Sequence, residues 1–401
     1  MGEIARRELT GLKFFEPLRR FRDELHRQKE HPNRNLHLDE HLLLLLLAYF
    51  NPAITGLRQL VKLPELPVVD RNLGLQHTSL GSFSEASSVF DPEPLRRIFL
   101  ELSQEARVEN GPRRPQGLPA DLRILAADAT LWQLLPRMTP LFFEQPRSRA
   151  PKPALKGHFV FNVLDQIPVE ARFGERECDE RQVLPQQLGS GALYVLDRGY
   201  QSAQLYQEIL RAENSLVARQ RRDVAFTVLE ERALTESAVK SGVSADQRVH
   251  LGPENEGVER DLRIVRATVE CPPSRNLDPK HKRGKHAAPG KTPTTHELIL
   301  LTDRFDLDAS DVVAIYKYRW QIEVFFRWFK CVLKCRHLFA ESPNGMALQM
   351  YAALIASLLV VIYTQRKPTK MLLWLLQLYV QGQAEWSHVE KELAKLKTSA
   401  A

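Results

Sequence analysis

Hydrophobic positions in the first part of the chain recur with the spacing of helices. Residues 36–50, with the sequence LHLDEHLLLLLLAYF, are apolar enough to predict a buried helix. A second, short helix is predicted over 53–63, and a helix, a tight turn and a short basic helix are typical of a helix-turn-helix element. A segment rich in proline and glycine, 112–120, indicates a domain boundary. The pattern therefore predicts a helical, DNA-binding N-terminal region over residues 1–111.

Short apolar runs typical of strands replace the helical periodicity after residue 120. Helices are predicted over 201–213 and 309–335. Strands that alternate with helices indicate an α/β fold with a mixed sheet. The strands are predicted within the segments 123–130, 158–165, 168–177, 192–200, 215–220 and 296–303.

The stretch before the last predicted strand is mostly polar. Residues 221–295 contain scattered strand-like pieces, which predicts a β-rich insertion before the final strand and helix. The core of the fold then consists of residues 120–220 together with 296–335. A second helical region follows over 336–401, so helical regions flank the core on both sides.

One apolar run is long enough to raise the question of a membrane. Residues 346–364 carry no charge over 19 positions, which is near the length of a transmembrane helix. The polar residues Gln349, Ser357 and Thr364 interrupt the run, which favours a central buried helix. A membrane span is retained as a remote alternative.

Composition and charge describe a globular protein with a polyanionic partner. Of the 401 residues, 43% are hydrophobic and 26% are charged, which is typical of a chain with a substantial core. The formal net charge of +7 favours an acidic partner such as nucleic acid. Four scattered cysteines indicate a reducing compartment, and the charged N-terminus shows no apolar signal segment. We expect a cytoplasmic protein.

Residues 316–330, with the sequence YKYRWQIEVFFRWFK, combine bulky apolar side chains with charged ones. At about 100° per residue, four polar residues fall on one narrow stripe of the predicted helix, namely Tyr316, Arg319, Glu323 and Lys330. One interpretation is an ordinary salt bridge between Arg319 and Glu323 on a solvated face. A solvated helix usually has a wide polar face, however, and this stripe is narrow.

Two further acidic residues follow apolar strands. Asp128 ends the run LAADAT, and Asp197 ends the run YVLDRGY. Acidic residues at strand ends are common in turns, but they also place carboxylates at the edge of a sheet facing a cleft. If Glu323 joined them, three carboxylates would repel one another unless cations were bound. Hard oxygen ligands suit Mg²⁺ or Mn²⁺, and two such ions are a known solution for phosphodiester chemistry.

These motifs resemble bacterial insertion-sequence transposases of the D-D-E class, and specifically the insertion-sequence-four group. The Tyr-x2-Arg-x3-Glu-x6-Lys pattern of that group is met by Tyr316, Arg319, Glu323 and Lys330. The first aspartate of the family lies in a strand that ends Asp-small-Thr, as Asp128 does here. The second lies in Asp-Arg-Gly-Tyr, which begins here at Asp197, and the resemblance covers residues 120 to 365.

The resemblance implies a ribonuclease-H-like catalytic core that performs two-metal cleavage and strand transfer on DNA. It implies that Asp128, Asp197 and Glu323 hold two Mg²⁺ or Mn²⁺ ions. In the family, the residues matched by Tyr316, Arg319 and Lys330 bind the transposon-end DNA near the cleavage site. The implied partners are double-stranded DNA, both transposon ends and target, and a second copy of the chain.

Basic residues outside the motif extend the predicted DNA contact. The segments 147–158 and 279–291 are basic, and the second contains Lys280, Lys282 and Arg283. Each segment is equally compatible with a solvated loop. Arg198, which follows Asp197 directly, is either a DNA contact or a structural partner of that carboxylate.

Two alternatives to a transposase stay open at this point. A decayed or domesticated copy would bind DNA without chemistry, although all three acids are present. A metal-dependent nuclease would cut DNA without joining it. Reaction with end-containing DNA and Mg²⁺ separates the three possibilities by their products.

Overall fold

The protein is described by a computed structural model, which covers most of the chain. The described residues are 11–27, 36–109, 111–112, 114–115, 118–133, 154–175, 177–252, 258–271, 294–333 and 340–398.

Helices form at both ends of the chain and between the strands. The α-helices are α1 Arg19–His26, α2 Leu38–Phe50, α3 Leu57–Leu60, α4 Pro67–Leu73, α5 Leu80–Val89, α6 Glu93–Glu105, α7 Glu180–Val183, α8 Ala203–Arg211, α9 Glu236–Lys240, α10 Ala309–Tyr318, α11 Trp320–Arg327, α12 Pro343–Thr364, α13 Lys370–Val380 and α14 Trp386–Thr398. Short 3₁₀ helices occupy Gly11–Leu18, Leu63–Glu65, Leu184–Gln187 and Arg198–Tyr200. The buried helix predicted over 36–50 is confirmed as α2.

Strands occupy the central part of the chain. They are β1 Arg123–Gln133, β2 Ala154–Asn162, β3 Ile167–Glu175, β4 Ala192–Leu196, β5 Ser215–Arg219, β6 Phe226–Glu231, β7 Val243–Leu251, β8 Leu262–Cys271 and β9 Thr294–Thr302. Each of the six strands predicted by residue range is present. The polar stretch after residue 220 contributes three more, β6, β7 and β8. The predicted α/β fold with a mixed sheet is confirmed.

The chain divides into two compact units. The helical unit consists of Met1–Pro112, Ala129–Glu177 and Glu323–Ala401, and the sheet unit consists of Arg113–Asp128 and Cys178–Ile322. Of the four passages of the chain between the units, one lies inside β1, after Asp128, and another inside α11, between Ile322 and Glu323. This division differs from the four predicted regions, whose boundaries stay a prediction.

A mixed sheet forms the sheet unit. Its strands lie in the order β1, β4, β5, β9, β8, β7, β6. The first three run parallel, and each later strand is antiparallel to its neighbour. Strand β4 is buried along its whole length, as parallel strands covered on both faces are.

A long apolar helix, α12, is the centre of the helical unit. By length and composition it could cross a membrane, yet 89% of its most apolar window is buried inside the protein. It packs against α2, α5 and α6, and the hydroxyl of Tyr49 donates to the Gln349 carbonyl at 3.0 Å. The predicted central buried helix is therefore confirmed.

The aromatic residues of α11 and of the π-helix that follows it, Trp328–Val332, pack against the antiparallel hairpin of β2 and β3. The ring of Phe159 lies 5.2 Å from that of Phe326, 6.0 Å from Phe325 and 6.1 Å from Phe329, measured between centroids. Trp132 closes the cluster from β1, at 6.3 Å from Phe159. Because its rings interlock in these edge and tilted geometries, the cluster fixes the direction of α11 within the helical unit.

The single continuous helix predicted over 309–335 is wrong. Helix α10 ends at Tyr318, and the turn at Arg319 is closed by short-range bonds: its N–H donates to the Tyr316 carbonyl at 3.1 Å. A π-helix then occupies Trp328–Val332, and the N–H of Leu333 donates to the Trp328 carbonyl at 3.2 Å. The turn and the π-helix both change the angle between successive side chains around the helix axis. Side-chain directions calculated at a constant angle of about 100° per residue are therefore wrong for this segment.

Candidate active site

Asp128 and Asp197 occupy equivalent positions on neighbouring parallel strands. Ala127 of β1 is paired with Leu196 of β4, and the two aspartates come next along each strand. Neighbouring strands lie about 4.8 Å apart, so this register brings the two carboxylates to one edge of the sheet. Asp128 lies inside β1 rather than past its end, because β1 continues to Gln133 after its pairing with β4 stops.

Arg319 binds the first of these carboxylates. Its Nη1 lies 3.3 Å from Oδ2 of Asp128, and the two side chains are 13% and 26% exposed. The tight turn at Arg319 separates α10 from α11, so the guanidinium leaves the helix where the backbone changes its hydrogen bonding. This contact, made by a largely buried guanidinium, does not support the interpretation of Arg319 as part of an ordinary solvated helix face.

Tyr316 and Arg219 approach the second carboxylate. The hydroxyl of Tyr316 donates to Oδ1 of Asp197 at 3.1 Å, and Nη1 of Arg219 lies 3.8 Å from the same oxygen. Burial raises the pKa of Asp197, but the backbone N–H of Arg198, the charge of Arg319 and the Tyr316 hydroxyl outweigh it and hold this pKa below its ordinary value. Burial, together with the nearby Asp197, raises the pKa of Tyr316 to about 12.

Arg219 was not identified as a site residue from the sequence. It is the last residue of β5, which lies beside β4 in the sheet. The sequence does contain a signal for this residue. A charged residue ends the apolar run SLVA, which forms the next strand after Asp197 along the chain. The family motifs around Asp128, Asp197 and Glu323 do not include that strand.

Arg198 meets Asp197 through its backbone. Its N–H is one of the groups that lower the pKa of the carboxyl, while its side chain is exposed. The short 3₁₀ helix Arg198–Tyr200 turns the chain at this point and buries Tyr200. An exposed guanidinium beside the acidic pair is available to solvent or to a ligand, so a DNA contact by Arg198 stays a prediction.

Lys330 holds the end of β1 within the helical unit. Its Nζ donates to Oγ1 of Thr130 and to the carbonyl of Leu131, both at 2.6 Å. The same nitrogen lies 4.6 Å from the centre of the Trp132 ring, a cation–π contact. This lysine therefore restrains the strand segment that begins two residues after Asp128.

The sheet unit brings together Asp128, Asp197, Tyr316 and Arg319, and it adds Arg219. Glu323, in the first turn of α11, belongs to the helical unit and is partly exposed. Over the part of the chain that the structure describes, no three histidine, cysteine, aspartate or glutamate side chains are grouped as a metal site. The metal-binding role of the three acids stays a prediction. Lys280, Lys282 and Arg283 lie outside the described residues.

Comparison with known proteins places this geometry in a family. A family model described as "Transposase DDE domain" matches residues 119–359, which is more than half of the chain and includes both aspartates and Glu323. The chain belongs to the transposase DDE-domain family.

Insertion-sequence proteins of bacteria are among the curated relatives. The putative transposase y4zB of Sinorhizobium fredii is 32% identical over 205 residues, which are 50% of this chain and 51% of y4zB. The chain thus matches about half the length of this relative. A probable transposase for insertion sequence element IS5377 of Geobacillus stearothermophilus is 36% identical over 72 residues, or 18% of this chain and 19% of the relative.

A third relative is similar over a shorter stretch. The putative transposase for insertion sequence element IS4SA of Synechocystis is 33% identical over 87 residues, covering 21% of this chain and 26% of the relative. The family match and these relatives confirm the predicted resemblance to insertion-sequence transposases of the D-D-E class.

A solved structure aligns along the chain at low similarity. The cryo-EM structure of the piggyBac transposase synaptic complex with hairpin DNA covers 98% of this chain and 86% of its own, with a TM-score of 0.43 and 12% sequence identity. A score at this level does not establish a shared fold.

Proposed function

We propose that this protein is a DNA transposase of a bacterial insertion sequence, with a ribonuclease-H-like catalytic core. Family membership and the insertion-sequence relatives support the class of reaction. The parallel strands that carry the two aspartates support the proposed core, because they deliver two carboxylates to one sheet edge.

The observation that carries the proposal is the convergence of one short segment on both aspartates. Tyr316 donates to Asp197, and Arg319, three residues later, pairs with Asp128. A phenol, a guanidinium and two carboxylates at a sheet edge combine ligands for cations with ligands for phosphate. Phosphodiester chemistry needs both kinds of ligand at one place.

The carboxylates fit the divalent ions that the family implies. Asp128 and Asp197 offer hard oxygen donors, and their side chains are 26% and 37% exposed, so a hydrated ion can reach them. We assign Asp128, Asp197 and Glu323 as the residues that would hold two Mg²⁺ or Mn²⁺ ions. When bound, such ions supply Lewis-acid stabilisation of the attacking and leaving oxygens.

The cationic residues would orient the DNA strand for reaction. Arg319 already lies against a carboxylate, and a phosphate group offers the same planar pair of oxygens to its guanidinium. Arg219 stands on the other side of the acidic pair, beside Asp197. Tyr316, with its pKa raised to about 12, keeps its proton and remains a hydrogen-bond donor at neutral pH.

The proposed reaction has two steps on the DNA. The oxygen of water attacks the phosphorus at the transposon end, the bond to the 3′ oxygen breaks, and a 3′-hydroxyl is released. The oxygen of that hydroxyl then attacks the phosphorus of a second phosphodiester, either in the opposite strand, giving a hairpin, or in target DNA. As the new bond forms, the bond from that phosphorus to its own 3′ oxygen breaks, and this oxygen takes up a proton and leaves as a new 3′-hydroxyl. Arg319 and Arg219 would neutralise charge on the phosphate oxygens in both steps.

The proposed partners follow from the substrate. Double-stranded DNA, at the transposon ends and at the target, is attracted by the net charge of +7. We propose that two copies of the chain act on the paired ends, and that the protein works in the cytoplasm, bound to the nucleoid DNA.

The proposal is tested by incubating the protein, in the presence of Mg²⁺, with DNA that carries the ends of the insertion sequence encoding it. We expect both cleaved and joined products. Cleaved DNA without joined products would show a nuclease, and binding without products would show an inactive DNA-binding protein.

The variant Glu323→Gln tests the assignment of the acids. The amide keeps the size of the side chain but removes the negative charge, so products should be lost while binding to end DNA is retained. Cleavage by Glu323→Gln at the wild-type rate would show that the site is assigned wrongly.

A further inference from the structure

The loop that precedes α10 is held by two arginines of the predicted insertion, and a carboxylate of the same insertion pairs with both of them. Arg263 of β8 is 1% exposed and forms a two-pronged pair with Asp246 of β7, at 2.8 and 2.6 Å. Arg232, just after β6, lies 3.6 Å from the same carboxylate. We call Arg232, Asp246 and Arg263 the arginine clamp.

The two arginines of the clamp also bind backbone carbonyls of the loop. Nη1 of Arg263 donates to the carbonyls of Arg304 and Leu307, at 2.9 and 2.6 Å, and Arg232 donates to the Phe305 carbonyl at 3.1 Å. These carbonyls lie between the end of β9 and the start of α10. Three of the loop's carbonyl groups thus depend on two guanidinium groups that a buried carboxylate aligns.

The first turn of α10 is held by a second set of contacts from the insertion. Asp308 caps α10 by accepting from the N–H of Ser310 at 2.9 Å. The hydroxyls of Thr235 and Ser237, at the start of α9, donate to the same carboxylate at 2.6 and 3.1 Å. Burial raises the pKa of Asp308, but these hydrogen bonds outweigh it and lower the pKa to about 2.

We propose that Arg263 is a positioning residue for Tyr316 and Arg319, and that the insertion serves the site by fixing the start of the helix that carries them. Tyr316 lies eight residues after Asp308, or about 12 Å along α10. A helix this short behaves as a rigid rod, so a shift at its first turn moves the Tyr316 hydroxyl away from Asp197. The claim about DNA in the test below depends on the proposed function, whereas the claim about α10 does not.

A double variant separates positioning from stability. Removing one partner of a buried ion pair leaves an unpaired charge, but replacing both by apolar residues of similar size is often tolerated. Asp246→Leu with Arg263→Met should therefore remain folded while releasing the loop. A matched control is Arg248→Met with Asp261→Leu. This ion pair joins β7 to the residue just before β8, its side chains are 48% and 30% exposed, and it hydrogen-bonds at 2.9 and 2.7 Å.

Hydrogen–deuterium exchange resolved by segment is the primary measurement. We expect amides in residues 304–313 of the clamp variant to exchange about tenfold faster, with the remaining core unchanged, and no such change in the control. Affinity for end DNA should fall about tenfold in the same variant. Unchanged exchange over 304–313, or an equal change in the control, would overturn the proposal.

A milder variant decides the question if the double variant does not fold. Thr235→Val with Ser237→Ala removes two exposed hydrogen bonds to Asp308, together with the Thr235 cap of α9, without altering the buried pair. We expect amides at the start of α10 to exchange about threefold faster in a fully folded protein. Exchange at the wild-type rate there would overturn the proposal. If the wild-type protein binds no DNA, the proposed function fails and the exchange result still stands.

Discussion

Arg219 shows how a residue outside the signature motif shares in the charge balance of the site. It stands 3.8 Å from Asp197 and is one of the groups that lower the pKa of that carboxyl. Its side chain is 21% exposed, so its guanidinium can meet a phosphate oxygen without first being uncovered. Its position beside Asp197 would suit a contact with a DNA phosphate in the proposed reaction.

Arg219→Gln should weaken binding to DNA and reduce its salt dependence. Loss of one phosphate contact lowers the slope of log affinity against log salt by about 1 and weakens binding to all DNA sequences alike. Titration of labelled end DNA at several salt concentrations measures both effects. Arg222→Gln is the control, because that side chain is 81% exposed and pairs with Glu297. Equal effects in both variants would show that Arg219 has no special place.

His41 gives the helical unit a pH-dependent stability. The ring is buried, stacks on Phe83 at 4.5 Å and hydrogen-bonds to Ser87 at 2.9 Å. Burial lowers the pKa of His41 from 6.5 to about 3. As the pH falls, the unfolded chain binds a proton at His41 near pH 6.5, whereas the folded chain binds it only near pH 3. The contribution of His41 to the free energy of unfolding is therefore fully present above pH 6.5 and is lost as the pH falls from 6.5 towards 3.

His41→Gln should flatten this pH dependence. Urea unfolding of wild type and variant at pH 7 and pH 5 measures the change, because carboxylates contribute little in that range. The wild type should lose more free energy of unfolding than the variant on going to pH 5. His77→Gln serves as the control, since that side chain is 68% exposed. If His41→Gln lost as much free energy of unfolding between pH 7 and pH 5 as the wild type, the buried His41 would not be the cause of the pH dependence.

The elements of this fold differ in how well the sequence predicts them. Buried strands such as β4 and β5 are continuous apolar runs, and their type and place were predicted. Strand β6 was not, because its side chains are mostly exposed and it shows no alternation of apolar and polar residues. It is a strand because β7 supplies its hydrogen bonds, which the sequence of β6 does not record.

The candidate site shows the same limit. Asp128 and Asp197 could be placed from the apolar runs that precede them, and the motif identified Tyr316 and Arg319. Hydrophobic periodicity cannot reveal the turn at Arg319 or the π-helix beyond it. The same residues can form backbone hydrogen bonds three, four or five positions apart, so the order of apolar and polar residues does not record which pattern is present. The phase of each side chain on the helix depends on those turns, so the partners of Arg319 could not be predicted.

Phe159→Ala should strongly destabilise the packing of α11. The ring is 1% exposed and lies within about 6 Å of Phe325 and Phe326 in that helix and of Phe329 in the π-helix that follows, so its removal leaves a large cavity. We expect a loss of about 3–5 kcal/mol in the free energy of unfolding, measured by urea denaturation. Leu131→Ala, at a residue 39% exposed, should cost far less. A loss below about 1 kcal/mol for Phe159→Ala would show that the cluster is loosely packed.

At the scale of the whole molecule, the apolar helix α12 belongs to the protein core. Its buried side chains pack against α2, α5 and α6, so they are not available to contact lipid. We expect the expressed chain not to float with membranes on a density gradient. Flotation that persists after a carbonate wash would indicate a membrane span instead.

The helical unit is assembled from segments far apart in the chain, and this has a consequence for its synthesis. The Tyr363 hydroxyl donates to the Phe14 carbonyl at 2.8 Å across 349 positions, and Tyr49 reaches Gln349 across 300. At about 5–20 residues per second, the first helices leave the ribosome on the order of tens of seconds before α12 exists. During that interval the apolar surfaces that α12 covers lack this native partner, and we expect a chaperone to protect them. A chain interrupted before α12 would be left with these surfaces exposed, so we expect truncated products to be degraded rather than to persist as partial proteins.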